Sequence, residues 1–185
     1  MIRIILFFSM IMVVACGEPS EQAASMANEK VDKEVLKSEL DQLEEVLKSN
    51  TSTTINNAKA NLLIEKSIQY INAFPKDELS GGYLFRAGEV SVGIKEYKKA
   101  IDYWERMKKE YSTHKRASIA LFLQGFTCDN QMRDIEGAKK YYNEFLIKYP
   151  DHEYADQVKE LLKNIDISPE ELVKSFQKKR EAESR

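Results

Sequence analysis

Few residues of this 185-residue chain have the types and spacing that chemistry requires. There are only two histidines and two cysteines, and His114 and His152 lack acidic or cysteine companions at the spacing of metal ligands. The sequence has no phosphate-binding glycine loop and no HExxH or GxSxG motif. We therefore expect no enzyme, no metal site and no cofactor, and we interpret both histidines as polar turn residues.

One side chain does suggest chemistry, and it is the thiol of Cys16. Arg3 precedes an apolar run at positions 4–14, which is too short to span a bilayer and is typical of a secretory signal. The run ends in the sequence VVAC, which resembles the lipobox of bacterial lipoproteins. This resemblance implies that residues 1–15 are a lipoprotein signal peptide and that Cys16 is lipidated, which would anchor the protein to a membrane. The alternative is a secreted protein whose mature end carries a cysteine by chance.

The charge pattern and the second cysteine narrow the classes of protein to which this chain could belong. Residues 16–30 are small, polar and aperiodic, so we expect the lipidated Cys16 to be followed by a flexible tether. Cys128 would then lack a disulfide partner and is most simply a buried small hydrophobe. The 28 basic and 30 acidic side chains interleave along the chain and form no basic face, so we expect no nucleic-acid partner.

The elements that must position any site are helices. Apolar residues recur at steps of three and four, and no stretch shows the sustained alternation that is typical of strands. Proline ends two of the segments, at Pro75 and Pro150, and Ser168-Pro169 opens the last. We predict eight helices, at the following positions: from 31 to a break at 50–54, 55–74, from 79, 97–111, 115–129, 135–149, 154–165 and from 168 onward.

Part of the chain resembles itself. The segments 100–114 and 138–152 both begin with a small residue, continue to an aromatic pair and end in a turn that contains histidine. Pro75, Ser112 and Pro150 mark the ends of three copies, at spacings of 37 and 38 residues. Repeats of this length are helical pairs that stack, because one pair alone cannot bury its apolar face.

The residues in these copies resemble the tetratricopeptide repeat, in which small residues let two helices approach and an aromatic side chain fills the next layer. The matching positions are Gly88, Ala100, Trp104, Ala138 and Tyr142. The resemblance implies an all-α tetratricopeptide-repeat solenoid of antiparallel helix pairs. It would have about three repeats over residues 31–165 plus C-terminal capping helices, with a C-terminal helix and charged tail at 166–185.

The copies depart from the family pattern in different ways. Gly125 falls on the small position only if one residue is inserted before Met132. Ser112 replaces the proline of the middle copy, and Leu63 stands in the first copy where a small residue is expected. The pattern is therefore strong in two copies and weak in the first.

The lipobox and the repeats together resemble envelope lipoproteins of the tetratricopeptide class, such as those of the BAM and Tol-Pal systems. The resemblance implies a scaffold in the bacterial cell envelope whose partners are other envelope proteins or peptides, with a role in outer-membrane or cell-wall assembly. Gly17 stands where some bacteria use aspartate to retain lipoproteins at the inner membrane, which favours the outer membrane, facing the periplasm. The alternative function is a periplasmic ligand-binding module that captures a peptide or glycan.

Members of the family bind partners along a concave groove, which is lined by the first helix of each pair. The positions carried over to this sequence are Gly82, Phe85, Glu89 and Val92 in the middle copy and Ile119, Phe122, Phe126 and Asp129 in the last copy. An exposed aromatic strip would suit an extended or helical peptide, whereas the alternative is that these aromatics pack in the core. The oligomeric state stays open: a monomer, a component of a complex, or a homo-oligomer built through Leu36, Leu40, Leu43 and Leu47.

Overall fold

The structure is a computed structural model that describes residues 31–49, 56–167 and 169–183. Asp32–Arg185 form one compact unit, and a second unit, Met1–Val31, lies almost wholly outside the described residues. The predictions about the signal peptide, Cys16 and the tether at 16–30 therefore concern residues outside the described part.

All regular structure in the described ranges is helical, which confirms the all-α prediction. Each helix packs chiefly against its neighbours in sequence, so α1–α2, α3–α4 and α5–α6 form three stacked pairs and α7 packs on α6. This is the predicted helical-repeat solenoid. The helices are α1 (Lys33–Ser49), α2 (Asn57–Ala73), α3 (Ser80–Gly93), α4 (Tyr97–Glu110), α5 (Ala117–Thr127), α6 (Ile135–Lys148), α7 (Ala155–Asn164) and α8 (Pro169–Glu183), with a π-helical turn at Cys128–Met132 between α5 and α6.

Local signals explain where several helices begin. The side chain of Asn56 accepts a hydrogen bond from the Lys59 N–H at 3.1 Å at the start of α2. Asp134 does the same for the Gly137 N–H at 2.9 Å at the start of α6. These side chains satisfy backbone donors that have no partner inside the first turn of a helix.

The second and third pairs are held by a small residue against an aromatic ring. Gly88 of α3 lies against the indole of Trp104 in α4, so closely that a Cβ at residue 88 would overlap the ring. The fully buried indole donates from Nε1 to the Phe85 carbonyl at 3.2 Å. In the third pair, a Cβ on Gly125 would lie 2.6 Å from Tyr142 Cδ1. Both interlocks match the positions predicted from the repeat.

In the first helix pair, the large and the small side chain of the second helix occupy exchanged positions. Leu63 is fully buried where the second pair has Ala100, and Ser67 is fully buried where that pair has Trp104. The Ser67 hydroxyl donates to the Leu63 carbonyl at 2.7 Å, so the small polar residue leaves no unsatisfied group. Large and small side chains have therefore changed places within one helical turn, which explains why the first copy resembles the family so weakly.

The π-helical turn accommodates the inserted residue in the third copy. The Asp134 N–H bonds to the Cys128 carbonyl six residues back, whereas the equivalent Glu96 N–H bonds to Ser91, five residues back. A π-turn widens the helix by one residue, and such turns are typical places for an insertion. The register then recovers at Arg133, which has a positive φ of 56° like its counterpart Lys95 at 66°.

The turns between successive pairs repeat one hydrogen-bond pattern. Asp77, His114 and His152 occupy equivalent positions, and each side chain accepts from the backbone N–H two residues later, at 3.0, 3.2 and 3.2 Å. In both turns the acceptor is the Nδ1 atom of the imidazole. The histidines are thus turn residues, as the sequence predicted.

Leu36 and Leu40 of α1 are buried at 3% and 1% exposure inside their own chain. Half of the seam suggested for a homo-oligomer is therefore already occupied within the chain, where α1 packs on α2. Of the four leucines, only Leu43 and Leu47 retain partial exposure.

Two alanine substitutions in α3 test the glycine–indole interlock. We expect Gly88→Ala to lower the free energy of unfolding by about 2 kcal/mol, because overpacking outweighs the gain in helix propensity. Gly82→Ala is the matched control, since a Cβ there meets nothing within 4 Å, and we expect it to raise stability by about 0.5–1 kcal/mol. Urea unfolding followed by circular dichroism measures both, and equal stability of the two variants would contradict the interlock.

Candidate partner-binding cavity

The structure buries two of the predicted groove residues. Phe85 and Phe122 are only 3% and 8% exposed. The Phe122 ring packs on Tyr154 with 5.1 Å between ring centroids, and the Phe85 ring is covered by the Arg116 guanidinium at 4.9 Å. Their side chains therefore belong to the packing of the stack, which was the alternative left open by the sequence.

Four more of the predicted groove residues are accessible to different extents. Phe126 is 37% exposed, whereas Glu89, Val92 and Asp129 are half-buried. Asp129 accepts a hydrogen bond from the Tyr142 hydroxyl at 3.4 Å, and burial raises the pKa of its carboxyl. Partner binding by these residues stays a prediction.

A cavity of about 570 Å³ lies instead between α1, α3 and the turn that precedes α5. We call it the charged cavity. It is on the side of the stack formed by first helices, where the concave groove was expected, and Gly82 is the one predicted position that lines it. Its lining residues are Lys37, Asp41, Glu44, Lys48, Glu78, Leu79, Gly82, Tyr83, Arg86, His114, Lys115 and Arg116.

The α1 side of the charged cavity carries balanced charge. Lys37 pairs with Asp41 at 2.9 Å and Lys48 pairs with Glu44 at 3.1 Å, each one turn apart. Such exposed pairs contribute only a few tenths of a kcal/mol, so they set charge and shape more than stability. This side of the cavity therefore offers no unbalanced cation.

Arg86 lies between the two sides of the charged cavity. Its Nη1 donates to Glu89 at 3.3 Å, and its Nε is 3.9 Å from Glu44 Oε1, which is beyond hydrogen-bond distance. That Nε is buried and makes no hydrogen bond in the described part of the chain. Arg86 therefore has donor capacity that its neighbours do not use.

The side of the charged cavity formed by the turn before α5 is basic. Lys115 and Arg116 are exposed, and neither forms an ion pair with a carboxylate among the residues that the structure describes. Arg116 rests on the Phe85 ring, while its backbone N–H is held by His114 Nδ1 at 3.2 Å. The guanidinium is thus held in place by a cation–π contact and leaves its own N–H donors for other groups.

Polar contacts fix α1 as one wall of the charged cavity. Asp77, in the turn after α2, pairs with Lys33 and accepts from the Tyr70 hydroxyl at 2.9 Å. The hydrogen bond from Lys33 is the main cause that lowers the pKa of Asp77. Lys66 of α2 pairs with Glu39 of α1 at 2.7 Å, so α1 is attached at both its start and its middle.

Sequence reasoning missed most of this cavity. Lys37, Asp41, Glu44 and Lys48 follow a helical spacing along one face of α1, but charged stripes of that kind usually face solvent. The basic pair Lys115-Arg116 precedes a helix and belongs to no motif. The helical stripe on α1 was the available signal, and only the packed structure shows that it faces α3.

Cys128 is the one cysteine in the described part of the chain. Burial raises the pKa of the Cys128 thiol to about 11, so it stays protonated at neutral pH and is a poor nucleophile. In the described ranges, no group of three His, Cys, Asp or Glu side chains is placed to hold a metal ion. None of the described helices is long and apolar enough to cross a membrane.

Comparison with known proteins agrees with the fold. Residues 119–152 match the family model described as Tetratricopeptide repeat, and this segment spans most of α5, the π-helical turn, α6 and the following turn. No curated protein matches the chain. The match and the three stacked pairs support a tetratricopeptide-repeat protein. Such repeats form a class of protein–protein interaction modules, and protein partners are the expectation that follows for this chain.

The turn at His114 predicts a pH dependence of stability. Burial, with help from Arg116 and Lys115, lowers the pKa of His114 below its ordinary value of 6.5, because the folded state needs the neutral ring. This contribution is fully present above pH 6.5 and is lost as the pH falls through the folded pKa, since the unfolded chain binds the proton more readily. The lost turn hydrogen bond is worth about 1 kcal/mol.

We expect His114→Asn to reduce the slope of unfolding free energy between about pH 7 and pH 5, because an amide acceptor does not titrate. Urea unfolding at several pH values measures the slope in both proteins. An unchanged slope in the variant would contradict the role given to His114.

Proposed function

We propose that this protein is a lipid-anchored scaffold of the bacterial cell envelope that binds a segment of another envelope protein in the charged cavity. The observation that carries the proposal is the position of that cavity, between the first helices of successive pairs in a helical-repeat stack. Repeat stacks use such extended concave surfaces for binding. A protein partner is therefore the first expectation.

The proposed anchor rests on the sequence around Cys16. An apolar run, a small residue and then cysteine support lipidation, and residues 17–30 would tether the folded stack near the membrane surface. Gly17 after the cysteine supports the outer membrane, facing the periplasm. Assembly of the outer membrane or of the cell wall is the process we propose for such a scaffold.

A second candidate is a ligand-binding module for a small peptide or glycan. The cavity volume of about 570 Å³ favours it, since small-molecule sites commonly enclose roughly 300–1,000 Å³. A thermal-shift screen with short peptides and cell-wall glycan fragments separates the two candidates, because a ligand that binds the native state raises the melting temperature. A raised melting temperature with a glycan fragment would favour this second candidate over the scaffold.

Crosslinking in cells tests the scaffold. A photo-crosslinking residue at position 82 would project into the charged cavity, because space is open beside Gly82. We expect it to capture one envelope protein. The same residue at Ile147, which is 81% exposed on α6 and does not line the cavity, should capture none of it. Equal capture from both positions, or no capture from position 82, would count against the scaffold.

Lipidation is tested separately. We expect Cys16→Ser to abolish incorporation of labelled palmitate and to move the protein from the membrane fraction to the soluble fraction, because no acyl chain would hold it. Cys128→Ser is the matched control and should keep both the label and the membrane fraction. Label in the Cys16→Ser protein would refute the anchor.

A further inference from the structure

We propose that the segment bound in the charged cavity is acidic: an extended peptide whose carboxylates bind Arg116 and Lys115. This inference rests on the proposed scaffold function and adds the chemistry of the partner. It starts from the charges that line the cavity, where five Lys and Arg side chains face three Asp and Glu side chains. The excess is positive although the whole chain has a net charge of −2.

The excess of positive charge is concentrated on one side of the charged cavity. The α1 cations are neutralised by Asp41 and Glu44 one turn away, whereas Lys115 and Arg116 have no carboxylate partner in the described structure. An anionic group entering the cavity is therefore attracted by the α5 side, whereas the balanced charges of the α1 side give it little net attraction. This asymmetry gives the bound segment a defined position.

Arg116 is prepared for a carboxylate before any ligand arrives. Its guanidinium lies 4.9 Å from the centre of the Phe85 ring, a contact that limits its rotamers and leaves the edge of the fork for hydrogen bonds. A planar fork with two parallel N–H donors matches a carboxylate in bidentate geometry. Because the side chain is already held, less conformational entropy is lost on binding.

Arg86 supplies a second donor at the base of the charged cavity. Its buried Nε makes no hydrogen bond, with Glu44 Oε1 at 3.9 Å, and its bond to Glu89 is long at 3.3 Å, so this side chain retains a donor for an incoming acceptor. Leu79, Gly82 and Tyr83 lie between the two charged sides. They offer an apolar surface to the backbone and methylene groups of a peptide, which a phosphate ion would leave unused.

The probe is a fluorescein-labelled ten-residue peptide of alternating Glu and Ser, with a Gln-for-Glu peptide as its neutral analogue. Fluorescence anisotropy with the full chain in detergent measures both. We expect the acidic peptide to bind and the neutral analogue to bind at least about tenfold more weakly. We also expect added salt to weaken binding of the acidic peptide, because both basic side chains are exposed.

A matched pair of double variants locates the site. We expect Lys115→Gln with Arg116→Gln to weaken binding of the acidic peptide about tenfold. Lys98→Gln with Lys99→Gln removes the same charge from exposed positions on α4 that do not line the charged cavity, and affinity should stay within about twofold. Arg116→Lys keeps the charge but loses the planar fork, and it should give an intermediate affinity. Circular dichroism confirms that each variant is folded.

Three results would overturn the inference. They are equal losses in the two double variants, equal binding of the acidic and neutral peptides, and full displacement of the acidic peptide by inorganic phosphate at a concentration that leaves chloride without effect. If position 82 still captures a protein in cells, only the acidic chemistry has failed and the scaffold stands. If position 82 captures nothing as well, the proposed function fails with it.

Discussion

The close approach of a glycine to an aromatic ring is the contact on which the rest of the stack depends. At Gly88 the backbone of α3 lies directly on the Trp104 indole, and at Gly125 the backbone of α5 lies on the Tyr142 ring. Each contact fixes the distance and rotation of two helices, because neither partner can move without opening a void or colliding. The placement of successive first helices follows from that geometry, and with it the position of the charged cavity.

The two sides of the charged cavity differ in their electrostatics. The α1 wall is attached by the buried Leu36 and Leu40 and by polar contacts, among them the cluster of Lys33, Tyr70 and Asp77. The α5 side holds its arginine by an aromatic ring instead. A wall of balanced charge therefore faces a basic pair without carboxylate partners in the described structure. This difference makes the charged cavity electrostatically asymmetric.

The helices and their interlocks could be predicted from the sequence, because apolar periodicity, proline stops and small–aromatic pairs are local signals. The side chains that are exposed in the groove could not be predicted from the sequence. Phe85 and Phe122 are on first helices as the family pattern implied, but Arg116 and Tyr154 come from later elements and cover them. Burial of that kind depends on contacts between repeats, which a pattern read along one helix does not contain. The exchange of Leu63 and Ser67 hid the first copy for a different reason, since the family pattern expects the small residue first and the large one a turn later.

The π-helical turn at Cys128–Met132 has a consequence for how this protein can change over evolutionary time. An added residue is absorbed before α6 begins, and the Gly125–Tyr142 contact forms as the Gly88–Trp104 contact does. Packing therefore sets the alignment of the two helices, whatever the number of residues between them. The link between paired helices can change in length while the glycine–aromatic contact between them is kept.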